Sequence, residues 1–196
     1  IRMEGKISVI VLAHGDEKEL IRCVDRILNQ NYKDYELIVV STYKNLELEE
    51  KANNNDLMTL YVRDVDKLEE LRAYALNKAN GNIFYVKSKY LFLSNTITDL
   101  RKVMIENQVD VVTAGEKEFN ADKRVFYRIQ RDDKVVDISD RKEVEVSSLN
   151  GCLIKKEIFD GIDDLNLEDN KLVNRILEKA NKVMLKNSDY LIKLID

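Results

Sequence analysis

The sequence predicts a single doubly wound α/β domain, in which a mixed sheet is flanked by helices on both faces. Short apolar runs rich in β-branched residues recur along the chain without polar alternation, and segments with helical spacing of apolar residues lie between them. Strands that are buried on both faces read as continuous apolar runs. Their alternation with amphipathic helices is therefore typical of parallel β-α-β units.

The first half of the chain supplies four predicted strands joined by three predicted helices. The apolar runs predict strands over residues 6–13, 35–41, 57–62 and 82–86. Asp16 suits the N-cap of the first helix, and Asn80-Gly81 stops the third. The residues with helical spacing are Leu20, Val24, Ile27 and Leu28, then a short segment over 46–52, then Leu68, Leu71, Ala75, Leu76 and Ala79.

Polar residues follow three of these strands at their carboxyl ends. In doubly wound sheets, ligands bind beyond the carboxyl ends of the strands. The sequence therefore predicts one cleft, and the residues expected along its edge are His14, Ser41, Thr42, Lys87, Ser88 and Lys89.

The second half of the chain has shorter runs and more turns. We expect a helix over 96–105, a strand over 109–115 and hairpins within 123–146, with Asp132-Asp133 at a turn. A loop, a strand and a short helix follow over 148–159, then a capped helix over 166–181 and a closing strand over 182–187. Since no repeat or linker divides the chain, we predict one domain over residues 1–196.

The composition is that of an ordinary globular protein and excludes several function classes. Apolar residues make up 44% of the chain, charged residues 35%, and the formal net charge is −4. We therefore expect no general attraction to nucleic acid or to an anionic membrane. No apolar run approaches the roughly 20 residues of a transmembrane helix. Cys23 and Cys152 lack metal-ligand spacing, and we interpret them as reduced core thiols of a cytoplasmic protein.

Three segments carry recognisable motifs in a fixed order. The first, residues 7–41, ends in the pattern Gln-x-Tyr-x-Asp-Tyr-Glu at 30–36. The second, 71–86, contains Arg72, Leu76, Ala79 and Gly81, with Ala73 and Ala75 where Asn and Gly are usual. The third joins 150–162 to a helix with Glu168, Asp169, Leu172 and Arg175. Over most of its length, the chain thereby resembles the family 2 glycosyltransferases of the GT-A fold.

The resemblance implies a donor-binding half and an acceptor-side half. In the family, the first two strands and an Asp-x-Asp loop hold a nucleotide-diphosphate sugar, and a divalent cation on that loop neutralises the diphosphate. A late aspartate acts as general base on the acceptor hydroxyl. For this chain the resemblance implies a nucleotide-binding half over about residues 1–90, an acceptor-side half over about 91–196, and Asp169 as the base. The resemblance implies a glycan or polyol as acceptor and a role in cell-surface polysaccharide synthesis.

The chain departs from the family pattern in the donor half. Ser41 and Thr42 replace the acidic pair that usually follows the second strand, and they are neutral, weaker acceptors. Lys87-Ser88-Lys89 stands at the Asp-x-Asp position, and ammonium groups cannot ligate Mg²⁺ or Mn²⁺. We therefore expect no metal cofactor.

Two interpretations of the lysines stay open. In the first, Lys87 and Lys89 neutralise the diphosphate directly, assisted by Arg72, so that the transferase needs no metal. In the second, donor chemistry is lost, the lysines are solvated, and the chain is an inactive binding or scaffolding domain of a larger protein. The joint loss of both acidic contacts favours the second interpretation of the lysines. A nucleotidyltransferase-type enzyme is a third hypothesis, but it too would need an acidic metal site.

Two of the candidate residues also have simpler interpretations. Asp169 could belong to a capping box with Asn166, since an acid in a first helical turn favours the helix dipole. His14 could stack on or hydrogen-bond a nucleotide base, or be an exposed loop histidine. For partners, we expect a nucleotide-sugar donor and a hydroxyl acceptor, with a neighbouring domain or a second copy of the chain as further options.

Overall fold

The structure is a computed structural model that describes residues 5–13, 15–120, 122–123, 125–128, 134–137, 146 and 148–195. Side chains are described for these residues except 115–117, 125–128 and 186–195. Ten strands and six helices lie within this part of the chain. The strands are β1 (Ile7–Ala13), β2 (Tyr35–Ser41), β3 (Met58–Val62), β4 (Asn82–Val86), β5 (Tyr90–Phe92), β6 (Val111–Asn120), β7 (Val125–Arg128), β8 (Lys134–Asp137), β9 (Cys152–Ile154) and β10 (Lys182–Ile195). The helices are α1 (Glu17–Leu28), α2 (Leu46–Asn53), α3 (Leu68–Lys78), α4 (Thr96–Glu106), α5 (Lys156–Asp160) and α6 (Asp169–Lys179).

All ten strands belong to one mixed sheet. Its main path runs β3-β2-β1-β4-β9-β6-β10-β5, with β7 paired to β6 and β8 paired to β10. The first four strands are parallel, whereas β9 is antiparallel to both β4 and β6. The predicted mixed α/β sheet is confirmed, and its parallel part comes from the first half of the chain.

The core consists of two apolar layers, one on each face of the sheet. Side chains from α1, α2 and α4 pack on one face against alternate residues of β1, such as Val9 and Val11. Side chains from α3, α5 and α6 pack on the other face against Ile10 and Leu12. This three-layer arrangement explains why the strands read as continuous apolar runs, since both faces of β1 are fully buried.

Capping and close packing fix the ends of the helices in the first half. The Asp16 carboxylate accepts a hydrogen bond from the Glu19 backbone N–H at 3.0 Å, so the predicted N-cap of α1 is confirmed. Gly81 follows α3 and lies against the start of β1. A Cβ atom at that position would lie 2.6 Å from the carbonyl carbon of Lys6, which leaves room for glycine alone.

The second half corrects several predicted boundaries. Helix α6 begins at Asp169 rather than Asn166, and its N-cap residue Glu168 makes no side-chain capping bond, so no capping box forms. Strand β5 lies between the strand predicted over 82–86 and the helix predicted over 96–105, where the sequence predicts no strand, and β10 runs well past 187. Strands β7 and β8 pair with β6 and β10 rather than with each other. The predicted turn at Asp132-Asp133 and most of the run 142–147 lie outside the described residues.

Candidate functional site

Three parallel strands bring their carboxyl ends to one edge of the sheet. In the register, Ala13 of β1 lies opposite Ser41 of β2, and Val11 lies opposite Val86 of β4. The segments that begin at Gly15, Thr42 and Lys87 therefore leave the sheet side by side, as a ligand-binding edge requires. His14 lies outside the described residues, so its place at this edge stays a prediction.

The two hydroxyl residues after β2 differ in accessibility. Ser41 is fully buried, and its hydroxyl donates to the Tyr43 carbonyl at 2.6 Å and accepts from the Tyr43 N–H at 3.1 Å. Thr42 is exposed. Because local backbone groups already occupy the Ser41 hydroxyl, this conformation does not support a ligand contact by Ser41. Thr42 is the residue of the pair that a ligand could reach.

Residues 87–89, here called the lysine loop, leave the end of β4 with both lysines exposed. Ser88 between them is buried. The Asn150 side chain supports the loop, because its Oδ1 accepts a hydrogen bond from the Lys87 N–H at 2.7 Å. The next residue, Gly151, donates its N–H to the Tyr85 carbonyl at 2.9 Å. From the sequence, Asn150-Gly151 could be a tight turn that brings backbone to an acceptor, or only a turn. The fold shows that Asn150 holds the lysine loop.

Arg72 and Asp169 form an ion pair between α3 and α6. Nη1 of Arg72 lies 3.3 Å from Oδ1 of Asp169, and Nη2 donates to the Leu167 carbonyl. The side chain of Arg72 is 3% exposed, whereas that of Asp169 is 32% exposed. A guanidinium buried in this way does not support the predicted contact between Arg72 and a diphosphate. The contact of Arg72 with a diphosphate therefore stays a prediction, and the ion pair that the structure shows is with the candidate base Asp169.

Tyr85 connects this ion pair with the strand that carries the lysine loop. Burial raises the pKa of the Tyr85 phenol to about 12, the positive charge of Arg72 lowers it, and the negative charge of Asp169 raises it. Tyr85 belongs to β4, two residues before Lys87.

A comparison with protein families identifies the kind of domain that carries this edge of the sheet. The sequence model of the family described as glycosyl transferase family 2 matches residues 8–162, which is most of the chain. The chain belongs to glycosyl transferase family 2. The matched region contains β1 to β4, the lysine loop and the Asn150-Gly151 turn, but it ends before Asp169.

Two curated family relatives are bacterial glycosyltransferases. Glycosyltransferase GlyA of Streptococcus pneumoniae serotype 4 is 30% identical over 130 residues, which cover 64% of this chain and 19% of GlyA. The O-antigen biosynthesis glycosyltransferase WbnJ of Escherichia coli is 25% identical over 126 residues, which cover 61% of this chain and 50% of WbnJ. The chain thus spans half or less of the length of these relatives.

Solved structures of Staphylococcus aureus TarS share the fold. The crystal structure of TarS 1–349 matches with a TM-score of 0.80 at 18% identity, and covers 96% of this chain and 60% of that one. The same TarS fragment in complex with UDP-GlcNAc matches with a TM-score of 0.79, also at 18% identity, over 97% of this chain and 59% of that one. Similarity at this level of identity shows the fold alone, and it confirms the predicted GT-A fold.

The donor set at the end of β4 does not fit the divalent cation that the family pattern implies. Lysine ammonium groups have no lone pair to offer and repel a cation, and the Lys87-Ser88-Lys89 segment adds only one hydroxyl. Within the described part of the chain, no group of three or more His, Cys, Asp or Glu residues could hold a metal ion. The same part of the chain contains no helix that is long and apolar enough to cross a membrane.

Proposed function

We propose that this domain transfers a sugar from a nucleotide-diphosphate donor to a hydroxyl acceptor, and that the lysine loop replaces the usual metal ion. The observation that carries the proposal is the position of Lys87 and Lys89. Both side chains are exposed at the carboxyl end of β4, on a loop whose backbone is held by Asn150. Two ammonium groups at this place supply the positive charge that a diphosphate leaving group requires.

The donor class is supported by relatives rather than by this chain alone. One TarS structure is a complex with UDP-GlcNAc and another is a complex with UDP. A protein of this fold therefore binds a UDP-sugar, and we extend that donor class to this chain. The name of WbnJ, an O-antigen biosynthesis glycosyltransferase, favours a role in cell-surface polysaccharide synthesis.

The proposed chemistry assigns one task to each group. Asp169 accepts the proton of the acceptor hydroxyl as its oxygen forms a bond to the anomeric carbon of the donor sugar. The bond between that carbon and the diphosphate oxygen breaks, and Lys87 and Lys89 stabilise the negative charge that remains on the diphosphate. Thr42 hydrogen-bonds the nucleotide. Ser41 has no ligand contact in this scheme, and the contact of His14 with the base stays a prediction.

A second function is an inactive glycosyltransferase-like module within a larger protein. The replaced acidic pair favours it, because Ser41 is buried and only Thr42 could contact a nucleotide. The short span relative to GlyA also fits a domain that works as part of a longer chain.

Titration calorimetry with UDP-, CDP- and GDP-sugars separates the two functions. We expect saturable binding of one donor, unchanged by EDTA or by added Mn²⁺. Lys87→Ala and Lys89→Ala should each weaken it about tenfold or more, since a hydrogen bond to a charged group contributes about 1.5–3 kcal/mol. Lys102→Ala, an exposed lysine on α4, is the matched control and should bind like the wild type.

The outcomes of this titration are distinct. No heat with any nucleotide sugar at millimolar concentration would support the inactive module. Binding or turnover that requires Mn²⁺ would contradict the proposed role of the lysine loop, and it would direct the search to another ligand set.

A further inference from the structure

We propose that Arg72 is a positioning residue that orients the Asp169 carboxylate toward the acceptor hydroxyl. This inference rests on the proposed function, because it adds a support to the candidate base of that reaction. It gives Arg72 the Asp169 carboxylate as its partner instead of the diphosphate. The contact links α3, in the predicted donor half, to α6, in the predicted acceptor half.

The geometry shows two points of attachment rather than one. Nη1 of Arg72 contacts Oδ1 of Asp169 at 3.3 Å, and Nη2 donates to the carbonyl of Leu167, two residues earlier. The guanidinium is planar, so two of its nitrogens that engage two neighbouring points fix both the position and the direction of the segment that enters α6. A lysine ammonium lacks this planar pair of nitrogens and would fix the direction of the segment less well.

Burial gives this contact its strength. A guanidinium stays charged, and a charge removed from water requires compensation by a partner. Among the residues that the structure describes, Asp169 is the one carboxylate within ion-pair distance of Arg72. Asp169 is also the first residue of α6, where the helix dipole favours a negative charge. Both effects hold this carboxylate in place.

The arrangement leaves one carboxylate oxygen for the substrate. The contact with Arg72 is made by Oδ1, and about a third of the Asp169 side chain stays exposed. The second oxygen, Oδ2, is the one that accepts the proton of an acceptor hydroxyl in this scheme. Arg72 itself is 2% exposed as a residue and touches no substrate in this scheme.

The test compares Arg72→Lys with the wild type in steady-state turnover and in donor titration. We expect Arg72→Lys to fold, to bind the donor within about twofold of the wild type, and to lose about 10- to 100-fold in kcat, because small misplacements of a reacting group have effects of that size. Arg175→Lys, on the helix that carries Asp169, is the matched control. Arg175 pairs with Glu178 on the exposed face of α6, and its variant should retain kcat.

Two results would overturn the inference in an active enzyme. A folded Arg72→Lys variant with unchanged kcat would reduce Arg72 to a purely structural role. An unchanged kcat with donor binding weakened tenfold or more would return Arg72 to the diphosphate.

A failure of the proposed function would show itself differently, as a wild-type protein that turns over no donor with any acceptor. In that case, the contact between Arg72 and Asp169 is tested by measuring the Tm of Arg72→Met, Asp169→Asn and the double variant. If Arg72 holds Asp169, the loss of Tm in the double variant is smaller than the sum of the two single losses. Additive losses of Tm would contradict the inference.

Discussion

At the scale of single residues, the candidate site depends on side chains that hold backbone atoms far away in sequence. Asn150 accepts from the Lys87 N–H, and Arg72 donates to the Leu167 carbonyl. In both cases a side chain from one half of the chain fixes a loop of the other half. The lysine loop and the candidate base are thereby each held by the opposite half of the domain.

The Asn150 contact predicts a specific change in amide hydrogen exchange. Asn150→Ala removes the acceptor of the Lys87 N–H, and we expect this amide to exchange about tenfold faster, which corresponds to the roughly 1.4 kcal/mol of one hydrogen bond. Asn150→Asp keeps an oxygen at the same place and should retain the protection. Exchange followed by NMR at the Lys87 amide measures both variants. Equal exchange rates in Asn150→Ala and the wild type would show that Asn150 does not hold the loop.

At the scale of elements, the motif at residues 30–36 joins helices to strands rather than forming part of the ligand edge. Gln30 is buried, donates to the carbonyls of Arg26 and Leu93, and accepts from the Ile97 N–H at the start of α4.

Three other residues of the motif also hydrogen-bond to groups outside it. Tyr32 donates to the Gly5 carbonyl, and Tyr35 donates to the Ile27 carbonyl. Glu36 accepts from Ser8 and from the Asn80 N–H. The contacts described for this motif therefore join helices and strands of the fold.

Gln30 allows this structural role to be measured. Gln30→Leu leaves the Ile97 N–H and the Leu93 carbonyl without their partner, and we expect a loss of about 2 kcal/mol in the free energy of unfolding. Urea unfolding monitored by circular dichroism checks this. Asn77→Leu, the same kind of change at an exposed position of α3, should stay within about 0.5 kcal/mol of the wild type. A Gln30→Leu variant as stable as the wild type would mean that water replaces these bonds.

At the scale of the whole molecule, a feature could be predicted from the sequence when the residues that form it lie close together in the chain. The four parallel strands and their helices were predictable because periodicity is local, and consecutive β-α-β units lie side by side. The position of β9 between β4 and β6 was not, because it depends on pairing between strands distant in the chain. The site follows the same rule. Thr42 and Lys87 follow strands and could be placed, whereas Arg72 and Asp169 are 97 residues apart and meet only in the fold.

Two buried phenols, on β2 and β4 of the sheet, predict how the stability of the whole fold responds to alkali. Burial raises the pKa of both Tyr35 and Tyr85 to about 12, against an ordinary value of 10.0. Below pH 10 both phenols are neutral in the folded and the unfolded chain, so their contribution to stability is fully present. Between pH 10 and about 12 the unfolded chain loses protons that the folded chain keeps, and stability falls. Each phenol contributes at most about 1.4 kcal/mol per pH unit.

Urea midpoints measured at several pH values between 9 and 11.5 test this. Cys23, whose pKa burial raises from 9.0 to about 12, adds to the same fall from about pH 9 in every variant. Tyr85→Phe and Tyr35→Phe should each make the decline above pH 10 shallower, and the double variant should make it shallower still. Tyr43→Phe removes a phenol that is 39% exposed and should leave the decline unchanged. If Tyr85→Phe declined as steeply as the wild type, the Tyr85 hydroxyl would have to reach water in the folded protein, and the burial described for Tyr85 would be wrong.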